Sequence, residues 1–500
     1  MLWLTIWRSM VGGSGLHTIP AVRCSRPHSP FGKTLLIAAT LSTVAGCVYF
    51  NALYNANRLY DEGVAEIEAG RTGSGRSALG SAVEKAERIV EQNPDSRWAD
   101  DALRLIVRAR IFREEWAEAA EAARKLGNYA RTRQDSVEIA GFLGVAELNL
   151  GNAQQADSLL SIALAEEEDE DRRVQLLWYR ARARADLGLI QAADDDFRRV
   201  TQARPTWVAA RIGRVRLLVD SGRLEETALE LSTLLSLAFE DREEQDVITV
   251  VEYVAEHSPE TAVTALAGID SSTFEPGNKA SLVKLRGDLR ATLGNPAQAR
   301  NDYWLAVSIA PTSRSAAEAQ LALIIMELRN IATVAEFDSL EATLDEVARQ
   351  GGGRRSFAVR DLSELFIKVE FWISHGGLGY LLAAETARDA LHAPRLARTL
   401  YLEYADSMPD ALWAPKAVLA ALYLTVVDSA HAADMAGPTA QELRRRLEED
   451  YRDSPYVQAV LGGEGGRFSY EDLELGLRRQ LERLERLADQ EVRNRRAAAR

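Results

Sequence analysis

Cysteine is nearly absent from this 500-residue chain: there are two, Cys24 and Cys47, both close to the N-terminus. No disulfide framework can be built in the long remainder, which must hold together by burial, and a chain of this size can do so. Proline is also scarce, at 14 residues, so few positions force a helix to stop. Ala, Leu, Glu and Arg predominate instead, and the composition leans all-α. An excess of basic residues is missing too: the net charge is −14 and the pI about 5.2. That balance excludes non-specific nucleic-acid binding and disfavours broad adhesion to an anionic bilayer.

The chemistry of a catalytic or metal site is equally thin. Of six histidines, His17 and His28 precede Cys47, and His257, His375, His392 and His431 stand singly, with no second ligand at metal spacing. The glycine-rich His375-Gly-Gly-Leu-Gly379 follows a helical segment and not a strand, so it reads as a helix–helix turn, not a phosphate loop. Carboxylates cluster at Glu166–Asp171 and Asp194–Asp196, without the alternating ligands and turn glycine of a calcium loop, and read as solvated charge. The expectation is no metal, no cofactor and no enzyme.

What is present begins at the N-terminus. Arg23, Arg26 and Lys33 precede an apolar run, Thr34 to Ala45, which ends in Val44-Ala45-Gly46-Cys47. A basic segment, a short apolar segment and small residues make the layout of a secretory signal. The tetrapeptide resembles the bacterial lipoprotein signal, the lipobox. That resemblance implies acylation of Cys47, cleavage before it, and a mature protein tethered by lipid; Val48 in place of Asp at the next position implies the outer membrane, facing the periplasm. The alternative is an uncleaved anchor, since no charge occurs between Thr34 and Asn57, although the asparagines at 51, 55 and 57 are not membrane-like. The apolar MLWLTIWRSM before the basic segment suggests a start at Met10 or later. Val48–Tyr54 is expected to lie along the bilayer interface.

The body is repetitive. Gly, a short turn and a small residue recur as Gly151-Asn-Ala-Gln-Gln-Ala156, Gly188-Leu-Ile-Gln-Ala-Ala193, Gly222-Arg-Leu-Glu-Glu-Thr227 and Gly294-Asn-Pro-Ala-Gln-Ala299, at intervals of 37, 34 and 72 residues. A helical hairpin of about 34 residues is the tetratricopeptide (TPR) period. In the unit around Gly294, Gly287 allows close helix approach, Ala299 packs at the crossing, Tyr303 and Ala306 fill the next layer, and Pro311 ends the second helix. Ala181, Gly188, Ala193, Phe197 and Pro205 repeat the scheme. The chain resembles a TPR solenoid, which implies paired helices in a right-handed superhelix. A second echo, Pro94-Asp-Ser-Arg-Trp-Ala in Pro409-Asp-Ala-Leu-Trp-Ala and more faintly in Asp453-Ser-Pro-Tyr, resembles envelope TPR lipoproteins related to the lipoprotein component of the β-barrel assembly machine.

Glycine-rich breaks at Gly351–Arg355 and Gly462–Gly466 read as linkers. The expected organisation is a signal with lipobox (1–46), a membrane-proximal segment (47–59), a TPR solenoid (60–350), a second TPR-like helical block (356–461) and a C-terminal helix (468–500). The helix carries Leu477, Leu481, Leu484 and Ala488 on one face and reads as a cap packed back on the repeats. In TPR proteins the first helices line a concave groove; carried over by position, Trp178, Arg182, Ile212, Arg216, Lys284 and Asp288 face it here. Arginines in that lining favour an acidic or C-terminal carboxylate partner. The expected function is a lipid-anchored, periplasm-facing scaffold for other envelope proteins, in outer-membrane protein assembly. The alternatives are a scaffold for peptidoglycan enzymes and, less favoured, a lytic enzyme on a helical solenoid with a buried acid in Ser356–Leu461.

Overall fold

A computed structural model of the protein describes residues 51–96, 98–239, 241–349, 357–427, 437–461 and 470–498. Among them there are helices and turns and no strand. Val44, Ala45, Gly46 and Cys47 lie outside the described residues, as do the two glycine-rich linkers. No described helix is long and apolar enough to cross a membrane.

Two compact units divide between Ala265 and Leu266. The first is a row of helical hairpins: α1 (residues 51–68) with α2 (Thr72–Gln92), α3 (Ala99–Phe112) with α4 (Trp116–Gly127), α5 (Arg133–Asn149) with α6 (Ala153–Glu166), α7 (Glu170–Asp186) with α8 (Ile190–Ala203), α9 (Val208–Asp220) with α10 (Leu224–Leu235), and α11 (Asp241–His257) with α12 (Pro259–Ala265). Leading helices α5, α7, α9 and α11 pack side by side, and each trailing helix packs on its own partner and, through α8, on the next leading helix. This is the TPR arrangement, and the fold is an all-α helical-hairpin solenoid.

One backbone device repeats through the row. The second residue after six of the leading helices is left-handed: Gly70 (φ 84°), Glu114 (64°), Gly151 (85°), Gly188 (70°), Gly222 (71°) and, in the second unit, Gly294 (80°). At each, the following amide donates back five residues, as in Leu189 N to Arg184 O at 2.8 Å and Asn295 N to Arg290 O at 2.8 Å, which is a Schellman closure. Four of these turns are visible as glycine motifs; Gly70 and Glu114 extend the array toward the N-terminus. The 72-residue gap between Gly222 and Gly294 holds a further hairpin, α11–α12, whose turn at Ser258 has no glycine and uses Pro259 at the first helical position.

The stretch expected to lie on a bilayer begins, in its described part, as the first turns of α1. Leu53 and Ala56 are buried in the first unit's core and Tyr60 meets Phe112 edge-on at 5.9 Å; Tyr54 points outward. Gly63 and Gly75 are why α1 and α2 can cross so closely: a Cβ on Gly75 would stand 2.3 Å from Ile67. The division between units also falls well before the glycine linker at Gly351–Arg355. At the division the seven-residue α12 runs into the 3-10 turn Leu266–Ser271.

The second unit contains α13 (Pro276–Thr292), α14 (Pro296–Ile309), α15 (Arg314–Leu328), α16 (Val334–Arg349), α17 (Phe357–His375), α18 (Leu378–Asp389), α19 (Pro394–Ser407), α20 (Ala414–Val427), α21 (Ala440–Asp450), α22 (Pro455–Leu461) and the 29-residue α23 (Tyr470–Ala498). Gly376 and Gly377 make the turn between α17 and α18, and His392 takes a left-handed conformation (φ 53°) between α18 and α19. Its core gathers Phe337, Phe366, Trp372, Leu381, Leu400 and Tyr401, with Phe337 and Phe366 stacked at 4.5 Å.

Candidate protein-interaction face

The functional reading rests on where the leading helices aim their side chains, so the arginines must first be sorted into those already committed and those not. Most are committed. Arg180 and Arg184 on α7 both reach Asp196 on α8, at 2.8 Å, and Arg286 and Arg290 on α13 do the same to Asp302 on α14, also at 2.8 Å. The second set lies 106 residues after the first, like the turn glycines Gly188 and Gly294. Arg214 on α9 bridges Asp194 at 2.8 Å and Glu230, and Arg198 and Arg223 complete the ring around Asp194 at 2.6 and 2.7 Å. Burial opposes the charge on Asp194, but hydrogen bonds from Arg198, Arg214 and Arg223 outweigh it and hold the carboxyl down at about 2.

These contacts correct the reading of two acidic runs as solvated charge. Asp194 and Asp196 are 0% and 1% exposed, because they sit on the face of α8 that the α7 and α9 arginines cover. In the other run Glu167 is buried and pairs with Arg172 at 3.2 Å, while Asp169 caps α7 by accepting from the Arg172 amide at 2.9 Å. Buried carboxylates of this kind lock helices together; among the described residues no cluster of His, Cys, Asp and Glu could hold a metal. The lytic alternative requires a buried acid between Ser356 and Leu461, and the buried polar side chains described there are Arg398 and Thr425.

Arg182 and Arg216 are different. They occupy the same place on α7 and α9, one repeat of 34 residues apart, and among the described residues neither has a carboxylate within 4 Å. Each lies instead over an aromatic ring: Arg182 is 5.0 Å from the Trp178 ring and Arg216 5.9 Å from Tyr253 on α11. Burial pulls Arg182 below the usual guanidinium range. Trp178 is itself buried and leans on Tyr179 at 4.7 Å and Trp207 at 5.4 Å, so it is a platform under Arg182; Ile212, in the equivalent position on α9, is buried in the same way. Of the four groove positions expected in this unit, Arg216 is exposed, Arg182 is partly buried on the Trp178 ring, and Trp178 and Ile212 are buried.

On the same row α3 and α5 are tied by Arg104 to Asp135 (2.6 Å) and Glu138 (2.7 Å), and by Arg108 to Glu138 (3.1 Å). Beside this ladder a small cavity of about 20 Å³ lies between Arg108, Glu138, Gly141, Phe142, Arg172 and Leu176, contributed by α3, α5 and α7. Its size suits a single water and not a side chain. Lys284 and Asp288 belong to the second unit. They pair with each other at 2.8 Å; Lys284 also reaches Glu318 on α15 at 3.4 Å, and Asp288 accepts from the Tyr303 hydroxyl at 3.0 Å. Sequence reasoning missed Tyr253 and Arg172, since nothing in a linear pattern reports which rings lie under which guanidinium.

The hairpins, the repeated left-handed closures and the leading-helix row define a tetratricopeptide-type helical-repeat protein. No protein-family model matches the chain, and no curated protein matches it. Among solved structures, a tetratricopeptide repeat protein from Parabacteroides merdae is 17% identical, covering 51% of this chain and 94% of its own, with a TM-score of 0.31. The C-terminal part of a TPR repeat-containing protein from Cytophaga hutchinsonii is 12% identical over 51% of this chain and 97% of its own, at 0.33. A Rap protein complexed with competence and sporulation factor is 12% identical over 80% and 99%, at 0.29.

Proposed function

We propose that this protein is a protein-interaction scaffold whose first unit grips an acidic segment, or the terminal carboxylate of a partner chain, on its leading-helix face. The observation that carries the reading is the pair Arg182 and Arg216, in register on adjacent helices, each over a ring and, among the described residues, with no carboxylate within 4 Å, beside the salt-bridged Arg180 and Arg214. Arg182 is partly buried and Arg216 exposed; a guanidinium held on a ring is poised for a carboxylate, and a charged hydrogen bond of this kind contributes about 1.5–3 kcal/mol. The test is fluorescence anisotropy with a labelled acidic peptide, free or amidated at its C-terminus. The double variant Arg182→Glu, Arg216→Glu is expected to weaken binding by about tenfold or more, with the thermal midpoint unchanged. Equal affinity for the variant and the native chain sinks the proposal.

We infer further that the scaffold is tethered through Cys47 and faces the periplasm from the outer membrane, serving the assembly of outer-membrane proteins. The support is the order of basic segment, apolar run and Val44-Ala45-Gly46-Cys47. Mass spectrometry of the mature N-terminus is expected to find acylated Cys47; an intact upstream segment would replace the lipid tether with a protein anchor. Affinity capture from envelope extracts is expected to recover barrel-assembly components, and recovery of cell-wall enzymes alone would redirect the role.

A further inference from the structure

The second unit has a helix face, made by α17, α18, α20 and α22, that is occupied. Helix α23 does not extend the stack of hairpins; it lies across α17, α18 and α22 and reaches the start of α20. Its attachment has three parts. One thin stripe, Leu477, Leu481, Ala488 and Val492, is buried, while Leu475 and Leu487 beside it are exposed. Two indoles donate to its main chain, Trp372 Nε1 to Leu484 O at 3.3 Å and Trp413 Nε1 to Leu473 O at 3.2 Å. Ion pairs then set its direction. Glu474, near the N-terminal end, meets Lys416 at 3.0 Å and the Tyr456 hydroxyl at 2.8 Å. Asp489 meets Lys368 at 2.8 Å, and at the C-terminal end Arg495 and Arg496 meet Glu370 at 2.6 Å and Glu364 at 2.9 Å.

Stripe, main-chain donors and charge register together are the contacts by which a groove holds an amphipathic helix. The stripe itself is as enclosed as the interior of the unit, Leu477, Leu481 and Ala488 packing into the same core as Phe366, Leu381, Leu400 and Tyr401, while the polar contacts on either side of it stay partly exposed. Main-chain donation is indifferent to the identity of the side chains at Leu473 and Leu484, so the two tryptophans would serve any helix laid in the same place. The salt bridges are partly exposed on both sides and individually weak, which makes them suited to setting orientation more than to holding fast.

We propose that the row formed by α17, α18, α20 and α22 is a helix-binding groove, and that α23 is its built-in occupant. The partner it fits is an amphipathic helix of the same chemistry: an apolar stripe on one face, a carboxylate toward its N-terminus to meet Lys416, and guanidinium groups toward its C-terminus to meet Glu364 and Glu370. Such a helix engages the second unit by displacing α23. Because α23 is covalently attached, its effective concentration is in the millimolar range, and the free groove is a small fraction of the population. The proposal is independent of the carboxylate reading of the first unit, and either can fail without the other.

The test uses the full chain and a fluorescently labelled peptide of residues 470–498. In the variant Leu477→Glu, Leu481→Glu the attached helix is expelled, and the peptide is expected to bind at least about tenfold more tightly than to the native chain. Adding Lys416→Glu to that variant is expected to weaken the peptide about fivefold, and a scrambled peptide of equal composition is expected not to bind. Equal binding to native and variant chains overturns the proposal. So does loss of the second unit's helical signal in the variant, which would make α23 part of the core, and so does sedimentation of the native chain as a dimer that exchanges α23. Hydrogen exchange on the native chain is an independent check: α23 amides are expected to exchange about a hundredfold faster than those of α19, and equal protection overturns the displacement.

Discussion

The two units treat a helix face in opposite ways. In the first, arginines from adjacent leading helices are either bonded to buried acids or left over rings with, among the described residues, no carboxylate within 4 Å. In the second, the face made by α17, α18, α20 and α22 is covered by α23, and its charges are met by residues of the same chain. A repeat array cannot bury its leading face by stacking alone, since stacking closes only the sides of each hairpin. What remains is either offered to a partner or filled from within, and this chain contains both outcomes.

The contrast is sharpest where α23 is anchored. Trp372→Ala removes a buried indole and its hydrogen bond to Leu484, and should cost the second unit about 3–5 kcal/mol. Calorimetry is expected to show one transition lowered and the other in place; a uniform shift would mean the two units melt as one.

In the first unit the largest electrostatic effect should come from Asp194→Asn, which leaves Arg198, Arg214 and Arg223 around a neutral group and costs about 2–3 kcal/mol at neutral pH. The pH dependence follows from the sign of the shift. A carboxyl held at about 2, below its ordinary 3.8, stabilises the fold above pH 3.8, and that contribution fades as pH falls toward 2. Urea titrations of the native chain between pH 5 and 2.5 should show this loss, and the variant should show less of it.

The second unit should respond in the other direction. Burial, with Glu370 and Asp345 nearby, raises Glu341 from 4.5 to about 7, against the pull of Arg495. The folded unit therefore holds a proton that the unfolded chain releases, and stability drains away as pH rises from 4.5 through 7. Glu341→Gln should gain about 1 kcal/mol at pH 7.5 and flatten that slope; a slope that persists in the variant would assign it elsewhere.

The smallest expected effect tests the repeated turn. Glu114 stands where the other five closures have glycine, and a left-handed non-glycine residue costs about 1–2 kcal/mol. Its ion pair with Arg76 joins two side chains that are nearly half exposed and returns little. Glu114→Gly should therefore stabilise the first unit by about 1 kcal/mol, read as a rise in its denaturation midpoint.

The turns show how far a linear reading reaches. Gly151, Gly188, Gly222 and Gly294 are legible because left-handed backbone and close helix crossings restrict the residue type. Glu114 performs the same closure without the residue that announces it, and the turn at Ser258 uses no left-handed residue, so the α3–α4 and α11–α12 hairpins carry no glycine signal. The groove positions were legible as register: 178 and 182 recur as 212 and 216, then as 284 and 288. Their roles were not. Lys284 and Asp288 are spent on each other, Trp178 and Ile212 are inside, and only the arginines at 182 and 216 are left uncommitted.

By itself, then, the order of residues determined an α-helical repeat, its period, and the small residues at its crossings and turns, because these are local demands on backbone and volume. Only the tertiary structure decided that Asp194 and Asp196 are interior, that Leu53 and Ala56 of α1 are buried in the first unit, and that α23 lies across the second. Those outcomes depend on which charges and apolar stripes from distant segments come within a few ångströms of one another, and sequence spacing carries no record of that distance.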